Sequence, residues 1–274
     1  MRVLVLSFLL LLSSFAHAAD PSVNVSVGGE TRAFTREQLL ARPDATTIEV
    51  ARDITYRVSM TYRAVPVAAL LAGMTLPADS VIEAVALDGF IAQLPLDLVL
   101  DTDPSKAVAW LAIEPADRPW PPIPDKTVSA GPFYIVWTGA EVGSIRSEQW
   151  PFQVAKLASQ PSPAARWPAL AVDPALPATD PVRAGQALFV TQCLTCHKLN
   201  GAGAAEVGPD LNLPMNPTEY LTPEGLHDLI RNPKSVRTWP AQAMPPFPPD
   251  YLSDREIDLV VAYLKHMTGR KPPQ

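Results

Sequence analysis

The pentapeptide Cys193-Leu194-Thr195-Cys196-His197 contains the only two cysteines of this 274-residue chain. Two thiols three positions apart lie on one helical turn, so each can add to a vinyl group of the same porphyrin. The histidine that follows then lies under the iron, where its imidazole is able to ligate the metal. This spacing is the attachment signature of c-type haem. It predicts one covalently bound haem c per chain.

Three other kinds of site use similar residues: a redox dithiol, half of a zinc site and a structural disulfide. A zinc site usually needs four protein ligands, and here it would have to recruit His227 and His266. A thioredoxin-like dithiol is typical of a βαβ unit and requires no particular histidine. The pattern favours haem, because further signals of a haem domain follow the motif.

Residues 1–19 have the composition of a secretory signal. Arg2 provides a charged start, Val3 to Phe15 an apolar run, and Ala16-His17-Ala18 a cleavage site of small residues. A retained membrane anchor is the alternative, but the apolar run is short for a bilayer. We therefore expect cleavage, a periplasmic location and no integral membrane span.

The chain has a formal net charge of −6 at pH 7. A mildly acidic balance argues against nucleic acid and favours redox protein partners with basic docking patches, such as a periplasmic dehydrogenase or a terminal acceptor. Removal of the signal would leave about 255 residues, enough for two domains with separate cores.

A stretch rich in proline and alanine divides the sequence. Its six prolines are Pro161, Pro163, Pro168, Pro174, Pro177 and Pro181. Such a run predicts a semi-rigid, extended linker over residues 159–179. It separates an N-terminal domain at 20–158 from a C-terminal domain at 180–274.

The N-terminal segment alternates strand and helix signals. Val23, Val25 and Val27 occupy alternate positions, as in a strand with one buried face. Thr35 and Gln38 have the spacing of a capping box for a short helix. Further apolar runs predict strands at 81–87, 108–113 and 133–137 and a helical turn at 67–71. Together these signals predict an α+β fold that is rich in strands.

The C-terminal segment has clear helix starts and predicts an all-α domain. Asp180-Pro181 and Thr222-Pro223 each place a capping side chain before a proline at the first helical position. Ser253 and Glu256 form a capping box for the last helix.

Residues 180–274 resemble a class I cytochrome c. The resemblance rests on the haem motif, Gly208-Pro209-Asp210-Leu211, Ala243-Met244-Pro245-Pro246-Phe247 and a closing helix with Tyr263-Leu264. It implies that His197 and a methionine ligate the iron. Met244, on its proline-flanked loop, fits that role.

Alternatives to Met244 as the second protein ligand of the iron stay open. Met215 also lies between prolines and is the second candidate, whereas Met267 has the position of a helix-end residue. His227, His266 or an open site are further alternatives.

The same resemblance implies roles for two more residues. The Pro209 carbonyl would accept the ring N–H of His197, and Trp239 would line the haem edge or bind a propionate. A plain core tryptophan is the alternative for Trp239.

Residues 20–158 resemble the molybdopterin-binding fold of the sulfite oxidase family more distantly. The matching pieces are Tyr62-Arg63-Ala64-Val65-Pro66-Val67, Asp88-Gly89-Phe90 and Gly131-Pro132-Phe133-Tyr134-Ile135-Val136-Trp137. Catalytic members bind molybdenum through a cysteine, roughly where Ile48 to Arg52 stand here. Because both cysteines belong to the haem motif, we expect no molybdenum.

A small anion is another candidate ligand for this domain. Tyr56, Arg57, Tyr62 and Arg63 combine cationic and aromatic side chains, a combination that suits a small anion. The alternative is a solvated surface with aromatic packing.

These observations favour an electron-transfer protein over an enzyme. Its N-terminal domain would dock a redox partner or bind a ligand. One alternative is a haem-containing molybdenum oxidoreductase of the sulfite type. Another is a ligand-sensing or assembly module in which the haem reports the redox state.

Overall fold

The computed structural model describes residues 20–273, so the predicted signal sequence lies outside the described part of the chain. The N-terminal part is built from strands, which in chain order are β1 (Ser22–Val27), β2 (Glu30–Thr35), β3 (Thr46–Val50), β4 (Met60–Pro66), β5 (Ser80–Ala86), β6 (Ile91–Pro95), β7 (Val108–Ile113), β8 (Phe133–Thr138) and β9 (Val154–Pro161). Helices are α1 (Arg36–Leu40), α2 (Val67–Leu71), α3 (Leu96–Leu100), α4 (Pro163–Arg166), α5 (Pro181–Leu188), α6 (Pro217–Tyr220), α7 (Pro223–Arg231), α8 (Pro233–Val236) and α9 (Asp254–Met267).

The strands form two sheets. One has the order β2-β1-β9-β5-β6 and the other β3-β4-β7-β8. Neighbouring strands are antiparallel except β1 and β9, which pair in parallel. Side chains from both sheets form a single hydrophobic core.

Local signals correctly predicted several of these elements. The valines at 23, 25 and 27 are all buried on one face of β1. Thr35 and Gln38 form the capping box of α1, where the Thr35 side chain accepts from the Gln38 amide. The mixed fold, with strands first and helices later, is confirmed.

The segment 159–179 is not an extended linker, so that prediction of its conformation is wrong. Strand β9 continues to Pro161, because β5 pairs with it over its whole C-terminal part. Helix α4 and a 3-10 turn at Pro168–Leu170 follow. Leu170 and Val172 are buried in the core of the C-terminal part. The position of the boundary between the two domains stays a prediction.

The C-terminal part is helical. Helices α5 and α9 pack together around one hydrophobic cluster, and α7 packs on the N-terminal half of α9 around a second. Helix α7 ends at Arg231, and Pro233 is the first residue of α8. Within residues 20–273, no helix combines the length and apolar character that crossing a membrane requires.

Candidate haem site

Helix α5 carries the chain into the cysteine motif. Its first amide groups are capped by Asp180, whose carboxylate accepts from the Val182 amide. The helix continues as a π-helical turn over Phe189–Cys193. Such widened turns are frequent at functional sites. Here the turn delivers Cys193 at the end of a helix, and Cys196 follows one turn later.

Close packing of α5 on α9 fixes the direction of this helix. A Cβ on Gly185 would lie 2.0 Å from the backbone oxygen of Leu259, so only glycine fits. The rings of Phe189 and Tyr263 pack with centroids 5.3 Å apart. The Tyr263 hydroxyl donates to the Leu170 carbonyl at 2.7 Å. These contacts hold α5 against α9.

The two cysteines are free thiols, so the structure contains no disulfide between them. Burial raises the pKa of Cys193 to about 12 and that of Cys196 to about 11, with the charge of Glu148 as a further cause in both. Both thiols are therefore protonated at neutral pH. A reactive redox dithiol needs the opposite, a lowered thiol pKa.

The His197 ring is held by the carbonyl group of Pro209. Its Nδ1 lies 2.8 Å from that oxygen. Burial lowers the pKa of His197, so the neutral imidazole is favoured. A neutral ring that donates from Nδ1 keeps the lone pair of Nε2 free for a metal.

Glycine at position 208 leaves the space that the imidazole occupies. A Cβ there would lie 2.6 Å from both Nδ1 and Cε1 of His197. The Gly208 amide also donates to the Cys196 carbonyl at 2.7 Å. Residues 208 and 209 thus fix the ring from the backbone alone.

Asp210 organises the loop that presents Pro209. Its carboxylate accepts from the amides of Asn200, Gly201, Asn212 and Leu213, at 2.6 to 3.1 Å. This role of Asp210 was not expected from the sequence. The signal was present, since an aspartate side chain often accepts from the backbone amide two residues further on, as Asp210 does from Asn212.

A buried asparagine network ties this loop to α9. Asn212 donates to Asn200 and to the Met267 carbonyl, both at 2.7 Å. Asn216 donates to Asn212 and to the Leu264 carbonyl. Sequence reasoning missed this network, because each link joins positions that are distant in the chain or depends on burial.

The candidate sixth ligands differ in their surroundings. Met244 is partly buried and packs against the cluster that contains Phe247 and Leu252. Met215 is 51% exposed, and Met267 is fully buried at the end of α9, as its position predicted. Trp239 is 44% exposed, so it is not a core tryptophan.

Histidines that a zinc site would have to recruit are engaged elsewhere. His227 lies 3.2 Å from the Asp254 carboxylate, and His266 Nε2 accepts from the Asp173 amide at 3.1 Å. Free thiols on one turn, a neutral imidazole with a free Nε2 and the space left by Gly208 fit a haem.

The N-terminal domain contacts the haem motif directly. The Ile91 amide donates to the Thr195 carbonyl at 3.1 Å, and Thr195 is 1% exposed. Gln192 Nε2 donates to Ser147 Oγ at 3.2 Å. In addition, Arg146 and Glu256 form an ion pair at 2.7 Å.

A carboxyl group of the N-terminal domain, Glu148, lies beside the same turn. Burial raises the pKa of Glu148 to about 7, and the charge of Lys126 opposes the shift. Its neighbour Ser147 is the residue that accepts from Gln192.

The four residues predicted to form an anion-binding surface do not come together as one group. Tyr62 and Arg63 are neighbours on β4, so their side chains point to opposite faces of the sheet. Tyr56 is buried, and Arg57 pairs with Asp125 at 3.8 Å.

Asp53 is instead the centre of a buried network. Its carboxylate accepts from the Tyr62 hydroxyl at 2.8 Å, from the Tyr56 amide at 2.8 Å and from the Tyr134 hydroxyl at 3.3 Å. Burial raises the pKa of Asp53, and these hydrogen bonds oppose the shift.

One comparison with known families supports this assignment of the helical part. Residues 180–264 match the family model described as cytochrome C oxidase, cbb3-type, subunit III. No curated protein matches the chain. The matched range runs from the cap of α5 through the haem motif into α9. Residues 180–264 therefore form a cytochrome c domain, a kind of domain that implies a haem and suggests electron transfer.

Proposed function

We propose that this protein is a periplasmic c-type cytochrome that passes single electrons between redox protein partners. It carries one haem, bound covalently through Cys193 and Cys196. The arrangement at His197 is the observation that supports this most strongly, since its Nδ1 is held by the Pro209 carbonyl and its Nε2 is free. When bound, the haem supplies one-electron exchange between ferrous and ferric iron.

The free thiols suit covalent attachment. Cys193 and Cys196 would hold the haem through thioether bonds, each formed by addition of an S–H across a vinyl double bond, with sulfur on one carbon and hydrogen on the other. No electrons are exchanged in this step, and the cysteines must enter it reduced. Their raised pKa values keep the hydrogen on sulfur at neutral pH.

Met244 completes the proposed ligand set. Four of the five residues that follow Met244 are prolines, and these restrict the backbone of the loop. The partly buried thioether packs on a hydrophobic cluster, and this orders its side chain. His197 and Met244 together would leave the iron no open position for a substrate, which favours electron transfer over catalysis there. Trp239 is proposed to lie at the haem edge.

For the N-terminal domain we propose a sulfite-oxidase-like fold without molybdenum. The position that the resemblance gives to the metal thiolate falls at Ile48 to Arg52. Val50 is buried there, and Arg52 is exposed and pairs with Asp250. The buried interior just beyond is filled by Asp53 and its tyrosines. None of these groups replaces a sulfur ligand.

The proposed partners are redox proteins with basic surfaces. The acidic net charge of the chain supports them, because charge complementarity speeds association. The N-terminal domain would contribute to that docking.

Carbon monoxide binding tests electron transfer against chemistry at an open iron. The ferrous protein, reduced with dithionite at neutral pH, should keep its visible spectrum when carbon monoxide is added. The reason is that Met244 occupies the sixth position. As a matched control, Met244→Ala should bind carbon monoxide, while Met215→Ala should behave like the wild type. Rapid binding by the wild type would contradict the closed site and favour a ligand-sensing or enzymatic role.

A further inference from the structure

Three contacts connect the N-terminal domain to both sides of the candidate haem site. We call these three hydrogen bonds the seam. The Ile91 amide donates to the Thr195 carbonyl, Gln192 Nε2 donates to Ser147 Oγ, and the Tyr251 hydroxyl donates to the Ile54 carbonyl. The last is 2.9 Å long, and Tyr251 follows the Met244 loop in the chain.

Gln192 lies at the centre of this arrangement. It directly precedes Cys193 and is 2% exposed. Besides Ser147, its Nε2 donates to the Tyr251 carbonyl at 3.4 Å. One amide group therefore connects the cysteine turn, the N-terminal domain and the loop that follows Met244.

The Met244 loop needs such support, because little of it is regular structure. Few backbone hydrogen bonds form between α8 and α9. Prolines at positions 240, 245, 246, 248 and 249 have no amide N–H to donate. Arg231 holds one side of the loop by donating to the carbonyls of Phe247 and Leu252. Tyr251 holds the other side through Ile54.

We propose that Gln192 and Tyr251 are positioning residues through which the N-terminal domain holds the cysteine turn and the Met244 loop at a fixed separation. The domain is thus a structural part of the haem site as well as a docking surface. This inference rests on the proposed His197/Met244 ligation. It predicts that loosening the seam releases the methionine while the covalent haem stays in place.

Tyr251→Phe tests this in the full-length haem protein, because it removes the bond to Ile54 and keeps the ring. Imidazole competes with methionine for ferric iron, so its affinity reports how firmly Met244 is held. Loss of one hydrogen bond should raise that affinity about fivefold. Gln192→Leu should act in the same direction.

Two control variants show whether a change in imidazole affinity is specific to the seam. Tyr220→Phe changes an exposed tyrosine of the same domain and should leave imidazole affinity unchanged. Arg52→Gln removes the ion pair with Asp250, which also links the two parts of the chain but is exposed. It should have little effect.

Amide hydrogen exchange provides a readout that does not depend on methionine ligation. The amides of Tyr251 and Leu252 both donate to the Pro248 carbonyl and report on the loop. They should exchange faster in Tyr251→Phe than in the wild type or in Tyr220→Phe.

The two readouts separate the inference from the ligand assignment. A wild type without methionine ligation would refute the ligand set, and exchange at Tyr251 and Leu252 would still decide whether the seam holds the loop. Unchanged exchange in both Tyr251→Phe and Gln192→Leu would overturn the inference. So would unchanged imidazole affinity in a methionine-ligated protein.

Discussion

Gly208 lies so close to the imidazole of His197 that a Cβ at position 208 would be 2.6 Å from Nδ1. The Pro209 carbonyl holds the same nitrogen at 2.8 Å. The ring thus lies against a residue without a side chain and is hydrogen-bonded to a residue without an amide hydrogen. Its Nε2 is the only ring nitrogen left for a metal.

Gly208→Ala should displace the His197 ring, because the added methyl group meets ring atoms. We expect loss of the low-spin haem spectrum or a marked fall in haem content. Visible absorption of the purified protein measures both. Gly269→Ala is the control, since no atom lies within 4 Å of a Cβ there. An unperturbed spectrum in Gly208→Ala would show that the ring is not confined as described.

Met244→Ala should abolish the weak near-infrared band of ferric haem that reports a thioether ligand. The physical reason is that the sulfur contributing to this transition is removed. Absorption of the oxidised protein at neutral pH checks the claim, with Met215→Ala as the matched variant. If the band survived in Met244→Ala and disappeared in Met215→Ala, the assignment would pass to Met215.

Gly185→Ala should destabilise the cytochrome domain strongly. Alanine normally favours a helix over glycine by about 0.5–1 kcal/mol. Here its Cβ would lie 2.0 Å from the backbone oxygen of Leu259, so α5 and α9 must separate. We expect a loss of about 3 kcal/mol in the free energy of unfolding, from denaturant titration. A variant as stable as the wild type would mean that these helices pack less closely.

Glu148 should make stability depend on pH. Its pKa is raised from 4.5 to about 7 by burial, so the folded protein binds this proton more tightly than the unfolded chain. The contribution is full below about pH 4.5 and is lost as pH rises through about 7. The free energy of unfolding should therefore fall between about pH 5 and pH 8.

Glu148→Gln should remove that fall, while Glu141→Gln, at an exposed position, should retain it. Denaturant titrations across this pH range compare the three proteins. The same slope in Glu148→Gln and in the wild type would assign the dependence to another group.

Local signals in the sequence were enough for the capped helices, whereas the contact of His197 with Pro209 was expected from the resemblance to class I cytochromes c. The Asp180-Pro181 start of α5 and the Ser253 box of α9 involve side chains within three residues of each other. Asn216 shows the same signal, with Glu219 completing its capping box before α6, and it was overlooked.

Pairings between distant segments could not be predicted in this way. Strand β9 lies between β1 and β5, and its parallel pairing with β1 joins residues about 130 positions apart. The proline-rich composition around Pro161 pointed to an extended linker, but the flanking strands decided its structure. The seam is equally non-local, since nothing near Thr195 or Tyr251 in sequence indicates Ile91 or Ile54 as partners.

Intact-mass spectrometry under denaturing conditions tests the central claim most directly. The purified protein should have the mass of the processed chain plus one haem, and a peptide containing Cys193 and Cys196 should carry the whole increment. Replacing both cysteines by serine should return the mass to that of the chain alone. A wild-type chain that loses its haem on denaturation would contradict covalent attachment, and with it the account of this site.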